Sequence, residues 1–316
     1  MLLEISALRV ELGPEARPLR LLRDVSLTVA RGSIHGVIGE SGCGKTITGM
    51  TCLGLIPTDS RITADRFHFD GQDLRVAAAS LRGQRICMIS QDPAAALNPV
   101  LRISTQLDHV LRAHSSENKA ARHATARALL AETGLPDPDR VLKSFPHELS
   151  GGMQQRVVIA QALATGAEFM IADEPTTALD RTTGRQVLEV LRKLVASRGL
   201  TVLMISHDMG VIGDICDTIS VLYSGTLVEA GPSATLLQTP RHPYTRALLA
   251  ALPSRAQKGA KLPSIDGHPP TAATEVSGCI FADRCAQATE ICRTTKPPEY
   301  SDARQIWRCH HEVPHG

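Results

Sequence analysis

Short runs of β-branched and aliphatic residues alternate along the chain with longer stretches of helical periodicity. Residues 33–39 read as a strand entering a glycine loop, and residues 169–173 and 201–206 are continuous apolar runs of strand length. Runs this short and uninterrupted suit strands buried on both faces, as in a parallel sheet covered by helices. Between the last two, residues 184–197 set Val187, Leu188, Leu191, Leu194 and Val195 on one helical stripe. Strand, helix and strand joined by a right-handed crossover make the α/β unit. Residues 93–164 have another texture, rich in Ala and Leu with helical spacing over 119–133, broken by Gly134, Pro136 and Pro138. The pattern predicts a helical insertion at about 93–164 inside an α/β domain spanning 1–235. Beyond Gly231 and Pro232 prolines recur (Pro240, Pro243, Pro269, Pro270) and periodicity fades, so residues 236–316 read as a small appended domain.

A chain of 316 residues is long enough for about two domains and needs no disulfide or metal merely to fold. Lys and Arg number 34 against 32 for Asp and Glu, a net +2 that gives no whole-chain case for a nucleic-acid or anionic-membrane partner. The longest purely apolar stretch, residues 247–252, is far short of the ~20 that span a bilayer. Residues 1–4 have neither the basic flank nor the apolar core of a secretory signal. The expectation is a soluble cytoplasmic chain whose membrane role, if it has one, comes through a partner.

Gly39, Glu40, Ser41, Gly42, Cys43, Gly44, Lys45 and Thr46 match the P-loop pattern in full, after a predicted strand and at the head of a helix over 45–55. Glycines let successive backbone N–H groups point inward at phosphates, and the helix adds its positive end. Lys45 then serves the β- and γ-phosphates and Thr46 ligates Mg²⁺. Residues 169–174 form an apolar strand ending in two carboxylates: Asp173 can hold Mg²⁺, and Glu174 can position or deprotonate an attacking water. Cys43 reads as a small tolerated side chain, although a thiol at a helix N-terminus can have a lowered pKa.

Ser150, Gly151 and Gly152, flanked by Leu149 and by Gln154, Gln155 and Arg156, form a second anion cradle at a helix start. Two cradles and one Mg²⁺ site suggest ATP gripped between two subunits. With these motifs in this order, residues 1–235 resemble the ATP-binding cassette family. The resemblance assigns Gln91 to the Q-loop beside Mg²⁺ and the attacking water, Asp180 to the D-loop and His207 to the switch position. It implies that Ser150 and Gly152 close on the γ-phosphate of the facing subunit. One departure stands out. No Phe, Tyr or Trp precedes Phe67, so the aromatic that usually stacks on adenine is missing. Aliphatic groups or an Arg from 16–23 are the expected substitutes, with weaker or less base-selective binding.

Three further segments resemble the dipeptide, oligopeptide and nickel importer branch: residues 91–106, residues 240–249, and residues 278–285 around Cys279 and Cys285. That resemblance implies a peripheral ATPase on the cytoplasmic face of the cell membrane. Its partners would be two membrane permeases, a second cassette subunit (a copy or a paralogue) and, indirectly, an extracytoplasmic solute-binding protein. Nucleic acid is not expected. Cys279, Cys285, Cys292 and Cys309 can hold a [4Fe–4S] cluster or Zn²⁺. Their wide, irregular gaps favour the iron–sulfur cluster over a zinc ribbon, with free thiols as the remaining alternative. The rival functional readings are a soluble cassette ATPase uncoupled from transport and a regulatory nucleotide sensor.

Overall fold

The structure, a computed structural model, describes residues 1–252 and 264–311. Residues 253–263 and 312–316 of the expected C-terminal region lie outside those described. The chain divides into two compact units: Met1–Ala30, His35–Val76 and Ile205–Gly316 form the first, Arg31–Ile34 and Ala77–Met204 the second. The α/β class expected from the apolar runs is present in both.

In the first unit Leu3–Leu12 and Leu19–Val29 pair antiparallel, and Ser60–Thr63 and Arg66–Phe69 pair with the far edge of Leu3–Leu12. Leu3, Ile5, Leu8 and Val10 are buried; the alternation breaks at Ala7, where φ is +50° and the register shifts. Ser26 Oγ accepts the Ala7 N–H at 3.0 Å, so the bulge leaves no orphan donor there. Thr218–Tyr223 runs parallel to Ile34–Ile38 and antiparallel to Thr226–Pro232. All five positions of Ile34–Ile38 are buried, as a strand covered on both faces requires.

The C-terminal region is built into this sheet. Ile306–Arg308 pairs antiparallel with Thr226–Pro232, in the register Glu229↔Trp307 and Ala230↔Ile306, and Glu299–Ser301 adds beyond it. The sequence suggested an appended piece, but the described part of 236–316 shares a compact unit with the glycine loop.

In the second unit Ile86–Ile89 and Phe169–Asp173 are parallel neighbours, and Thr201–Ser206 follows Phe169–Asp173 in the strand order. The connection between those last two is the helix Arg181–Arg198, with Val187, Leu188, Leu191 and Leu194 buried and Gly199 (φ +66°) ending it. Helices Ile103–His114, Lys119–Glu132, Pro138–Lys143 and Gly151–Ala164 lie within the predicted helical stretch. Among the described residues no helix is long and apolar enough to cross a membrane.

His35, 3% exposed, lies between Thr218 Oγ1 (2.7 Å from Nδ1) and Ser220 Oγ (3.0 Å from Nε2). Burial pushes its pKa down to about 4, and that of the equally enclosed His242 to about 3. In the unfolded chain both titrate near ~6.5. The unfolded state therefore takes up protons first as pH falls, and stability is whole above ~6.5 and lost through the window down to about 4. Denaturant midpoints measured at pH 7.5, 6 and 5 should fall, by up to about 2 kcal/mol per histidine at pH 5. His35→Gln should flatten the slope; a wild-type midpoint that stays level down to pH 5 would refute the assignment.

Candidate nucleotide site

The buried strand Ile34–Ile38 delivers the chain into residues 39–46. A Cβ on Gly39 would sit 2.1 Å from the Leu222 carbonyl oxygen, so only glycine lets the loop press against its neighbouring strand. Gly44 has φ +102° and caps the helix Lys45–Cys52 with no side-chain bond, leaving the first helical N–H groups without a capping side chain. Lys45, 5% exposed, donates Nζ to the carbonyls of Gly39 (2.8 Å) and Glu40 (2.9 Å), which folds the loop around its own lysine.

Cys43 is in line with the reading of a small tolerated side chain and not with a reactive thiolate. It is 4% exposed, and burial pushes its thiol up; the nearby Lys45 ammonium offsets only part of that. Desolvation outweighs the helix-end effect that would have made a reactive thiolate.

Glu40 has partners that the sequence did not announce. Its N–H donates to Tyr244 Oη at 2.9 Å. Its carboxylate accepts both arms of Arg284, at 2.6 and 2.9 Å. Tyr244 belongs to the helix Pro243–Ala250 and is fully buried, with its ring centroid 4.7 Å from that of Tyr223. The one local signal was an acid inside an anion cradle, which calls for a cation nearby. Nothing local says where the cation comes from.

The second unit gathers two groups. Ile89 pairs with Ala172, so Gln91 and the pair Asp173 and Glu174 emerge at the same end of two neighbouring parallel strands. Gln91 is exposed; Asp173 is 8% exposed at its strand tip. Glu174 has φ +48°, a left-handed conformation strained for a non-glycine residue, and its carboxylate accepts from Thr177 Oγ1 at 2.9 Å. Such strain at a strand end re-aims a side chain.

The other group centres on Ser150, which caps the helix Gly151–Ala164. A Cβ on Gly152 would lie 2.1 Å from Thr183 Cγ2, and one on Gly151 would lie 3.3 Å from Leu179. The two glycines thus let the helix tip close on the turn that carries Asp180. Asp180 caps Arg181–Arg198 through Thr182 and Thr183 N–H groups, and the Thr183 hydrogen bond holds its carboxyl below the usual range. His207 is exposed in the first unit, just past Thr201–Ser206 and before the Asp208-capped helix Met209–Ile215.

Of the Arg residues considered for adenine, Arg20 pairs with Glu11 and Glu275, and Arg23 donates to the carbonyls of Thr271 and Thr274. Both are engaged by neighbours; Arg17 is exposed.

The four late cysteines converge. Burial pushes Cys279 up to about 11, and Cys285 and Cys309 upward as well, with the Cys292 thiol adding to each. Cys292 Sγ is 3.3 Å from His311 Nε2, and the His311 N–H meets Cys309 Sγ at 3.4 Å. Among the described residues no group of three or more His, Cys, Asp or Glu is placed to hold a metal ion. The donor chemistry suits a soft metal. The arrangement is a gathering of sulfurs, not a closed ligand sphere.

Residues 22–177 match the family described as ABC transporter, and residues 228–292 match the oligopeptide/dipeptide transporter C-terminal region. The dipeptide transport ATP-binding protein of Escherichia coli (strain K12) is 39% identical over 318 residues, covering 99% of this chain and 97% of that one. The oligopeptide transport ATP-binding protein of Salmonella typhimurium is 36% identical over 313 residues, covering 98% and 93%. Among solved structures, a dimeric ATP-binding cassette in a post-hydrolysis state, bound to ADP and Pi, aligns at TM-score 0.59 with 26% identity. That alignment covers 73% of this chain and 98% of that one.

Tyr244→Phe keeps the ring packing and removes only the acceptor of the Glu40 N–H. The expected loss is about 1–2 kcal/mol of stability, read from the urea midpoint. An unchanged midpoint would mean that the bond contributes nothing.

Proposed function

The chain belongs to the ABC transporter family, and from that premise we propose that it is the ATP-hydrolysing motor subunit of an importer of peptides or similar small solutes. The observation that supports this best is the joint one. A glycine loop with a buried lysine occupies the same chain as a C-terminal region of the oligopeptide/dipeptide transporter type. The relatives give no support to an uncoupled soluble ATPase or to a nucleotide sensor.

In this reading residues 39–46 take the phosphates of ATP, their N–H groups and Lys45 offsetting the charge. Thr46, Gln91 and Asp173 are the residues that would hold Mg²⁺, since each offers a hard oxygen donor. Held there, the ion would offset charge developing on the phosphate oxygens. Glu174 orients the attacking water and accepts its proton, and His207 contacts the γ-phosphate from the side. Ser150, Gly151 and Gly152 close on the γ-phosphate of a second cassette subunit, with Asp180 at the same seam. Each of these groups positions or neutralises, which is most of what phosphoryl transfer asks of a protein. Closure drives two permease subunits, fed by an extracytoplasmic binding protein, and the subunit works peripherally at the cytoplasmic face of the cell membrane. Cys279, Cys285, Cys292 and Cys309 are proposed to hold a [4Fe–4S] cluster, or Zn²⁺ in its place, as a structural element outside the hydrolytic chemistry.

Glu174→Gln should leave Mg·ATP binding near wild type and lower turnover in the permease-assembled complex by at least ~100-fold. Turnover at the wild-type rate would remove Glu174 from its assigned role. For the cysteines, iron and zinc content of the purified chain decides. About four irons per chain with a brown absorbance supports the cluster, stoichiometric zinc supports the substitute, and neither metal would withdraw the proposal.

A further inference from the structure

The geometry points to Arg284 as a positioning residue of the nucleotide site: its guanidinium neutralises and clamps Glu40, so that the cysteine-bearing turn forms part of the glycine loop's support. The inference rests on the reading that residues 39–46 hold ATP.

The electrostatic need comes first. An ionised carboxylate one residue into a triphosphate cradle repels the ligand unless a cation cancels it. Arg284 does so in a two-armed pair, Nη1 to Oε2 at 2.6 Å and Nη2 to Oε1 at 2.9 Å. The Arg284 side chain is only 4% exposed, which separates this pair from the screened surface pairs that contribute little.

The clamp is also rigid. Arg284 Nε donates to the Asp266 carbonyl and Nη2 to the Ile265 carbonyl, both at 2.9 Å, while Nη1 donates to Tyr223 Oη at 3.2 Å. With the two Glu40 bonds, all five guanidinium N–H groups have acceptors. A lysine has neither the fork nor the donor count.

The chain around Arg284 ties it to the thiols. It closes the short turn Ala282–Arg284, which Cys279 and Cys285 bracket. The Cys279 N–H donates to the Cys292 carbonyl at 2.7 Å, and a Cβ on Gly278 would stand 2.3 Å from that same oxygen. Within the segment Phe281, 3% exposed, packs its ring 5.2 Å from Tyr223 and 5.3 Å from Tyr244. Tyr244 is the residue that holds the Glu40 N–H. The loop is therefore gripped at one residue by main chain and side chain together, both through the same buried aromatic cluster.

The test is Mg·ATP binding to the full chain by equilibrium titration, alongside KM and kcat in the permease-assembled complex. Arg284→Ala should weaken Mg·ATP binding about tenfold and raise KM more than it lowers kcat. Arg284→Lys, which keeps a charge without the fork, should fall between. Adding Glu40→Gln to Arg284→Ala removes the exposed repulsion and should restore binding to within about threefold of wild type. A general loss of structure in the C-terminal region would not be rescued this way. Binding in Arg284→Ala within twofold of wild type, or a double variant as weak as Arg284→Ala alone, overturns the inference. A wild-type chain that binds no Mg·ATP overturns instead the nucleotide reading beneath it.

Discussion

The closeness of residue 39 to the Leu222 carbonyl governs what the site can be. No side chain fits there, so the loop can seat itself directly against Thr218–Tyr223. That seating in turn requires Ile34–Ile38 to pair parallel with Thr218–Tyr223, residue for residue from His35 to Ile38. A register slip of one residue would turn His35 away from its two hydroxyl partners and move Gly39 away from the carbonyl it alone can approach. Backbone pairing, histidine burial and cradle geometry are thus one constraint seen three times. The loop is held by its surroundings more than by its own glycines.

Charge is handled in two ways within that loop. Lys45 satisfies the curl by donating to loop carbonyls, which stores a cation at the cradle without leaving it unpaired. Glu40 is offset by an arginine from far along the chain. Buried ion pairs often contribute little net stability, because desolvation offsets the attraction. The value of Glu40 with Arg284 lies in specificity of position: a planar fork on a planar carboxylate fixes both orientation and distance. The Cys43 thiol, by contrast, is simply dry. Its neutrality means that the loop's charge balance is set by Lys45, Glu40 and Arg284.

Legibility in the sequence followed covalent distance. The glycine loop, the Ser150 cap and the Asp173 and Glu174 pair are read from contiguous residues whose chemistry is local, and they fall where strand ends and helix starts were expected. The all-buried strands were legible because burial on both faces removes the polar alternation. The Glu40 to Arg284 pair spans 244 positions, and no periodicity reports on a contact of that kind. The inert Cys43 was readable as a small tolerated side chain, but how far burial raises its thiol depends on which side chains surround the sulfur, and that is not written in the local order. The compact units also interleave, since residues 1–30 and 205–316 share one of them, and a linear shift in composition cannot announce that.

The C-terminal region reads as an appended piece because prolines recur in it and periodicity fades, yet it is tied in by its buried aromatic side chains and by a polar seam. Its seam with Thr226–Pro232 is pinned by polar groups. Glu229 is fully buried, and its two oxygens accept the N–H groups of Arg241 and His242 at 2.7 and 2.9 Å. Gln305, also buried, donates to Glu229 and to the Thr239 carbonyl. Burial pushes the Glu229 carboxyl upward, and the donors of Arg241, Thr245 and His242 pull it back. An apolar side chain at 229 would leave the main-chain donors of Arg241 and His242 without acceptors, at roughly 1–3 kcal/mol each, while the Gln305 amide would keep only its bond to the Thr239 carbonyl. It would also remove the feature that distinguishes the Glu229 to Trp307 register from its neighbours. A seam of this kind trades packing area for exact partners. The C-terminal region thereby joins Thr226–Pro232 in a single register, and the same region presents Tyr244, Phe281 and Arg284 to the glycine loop.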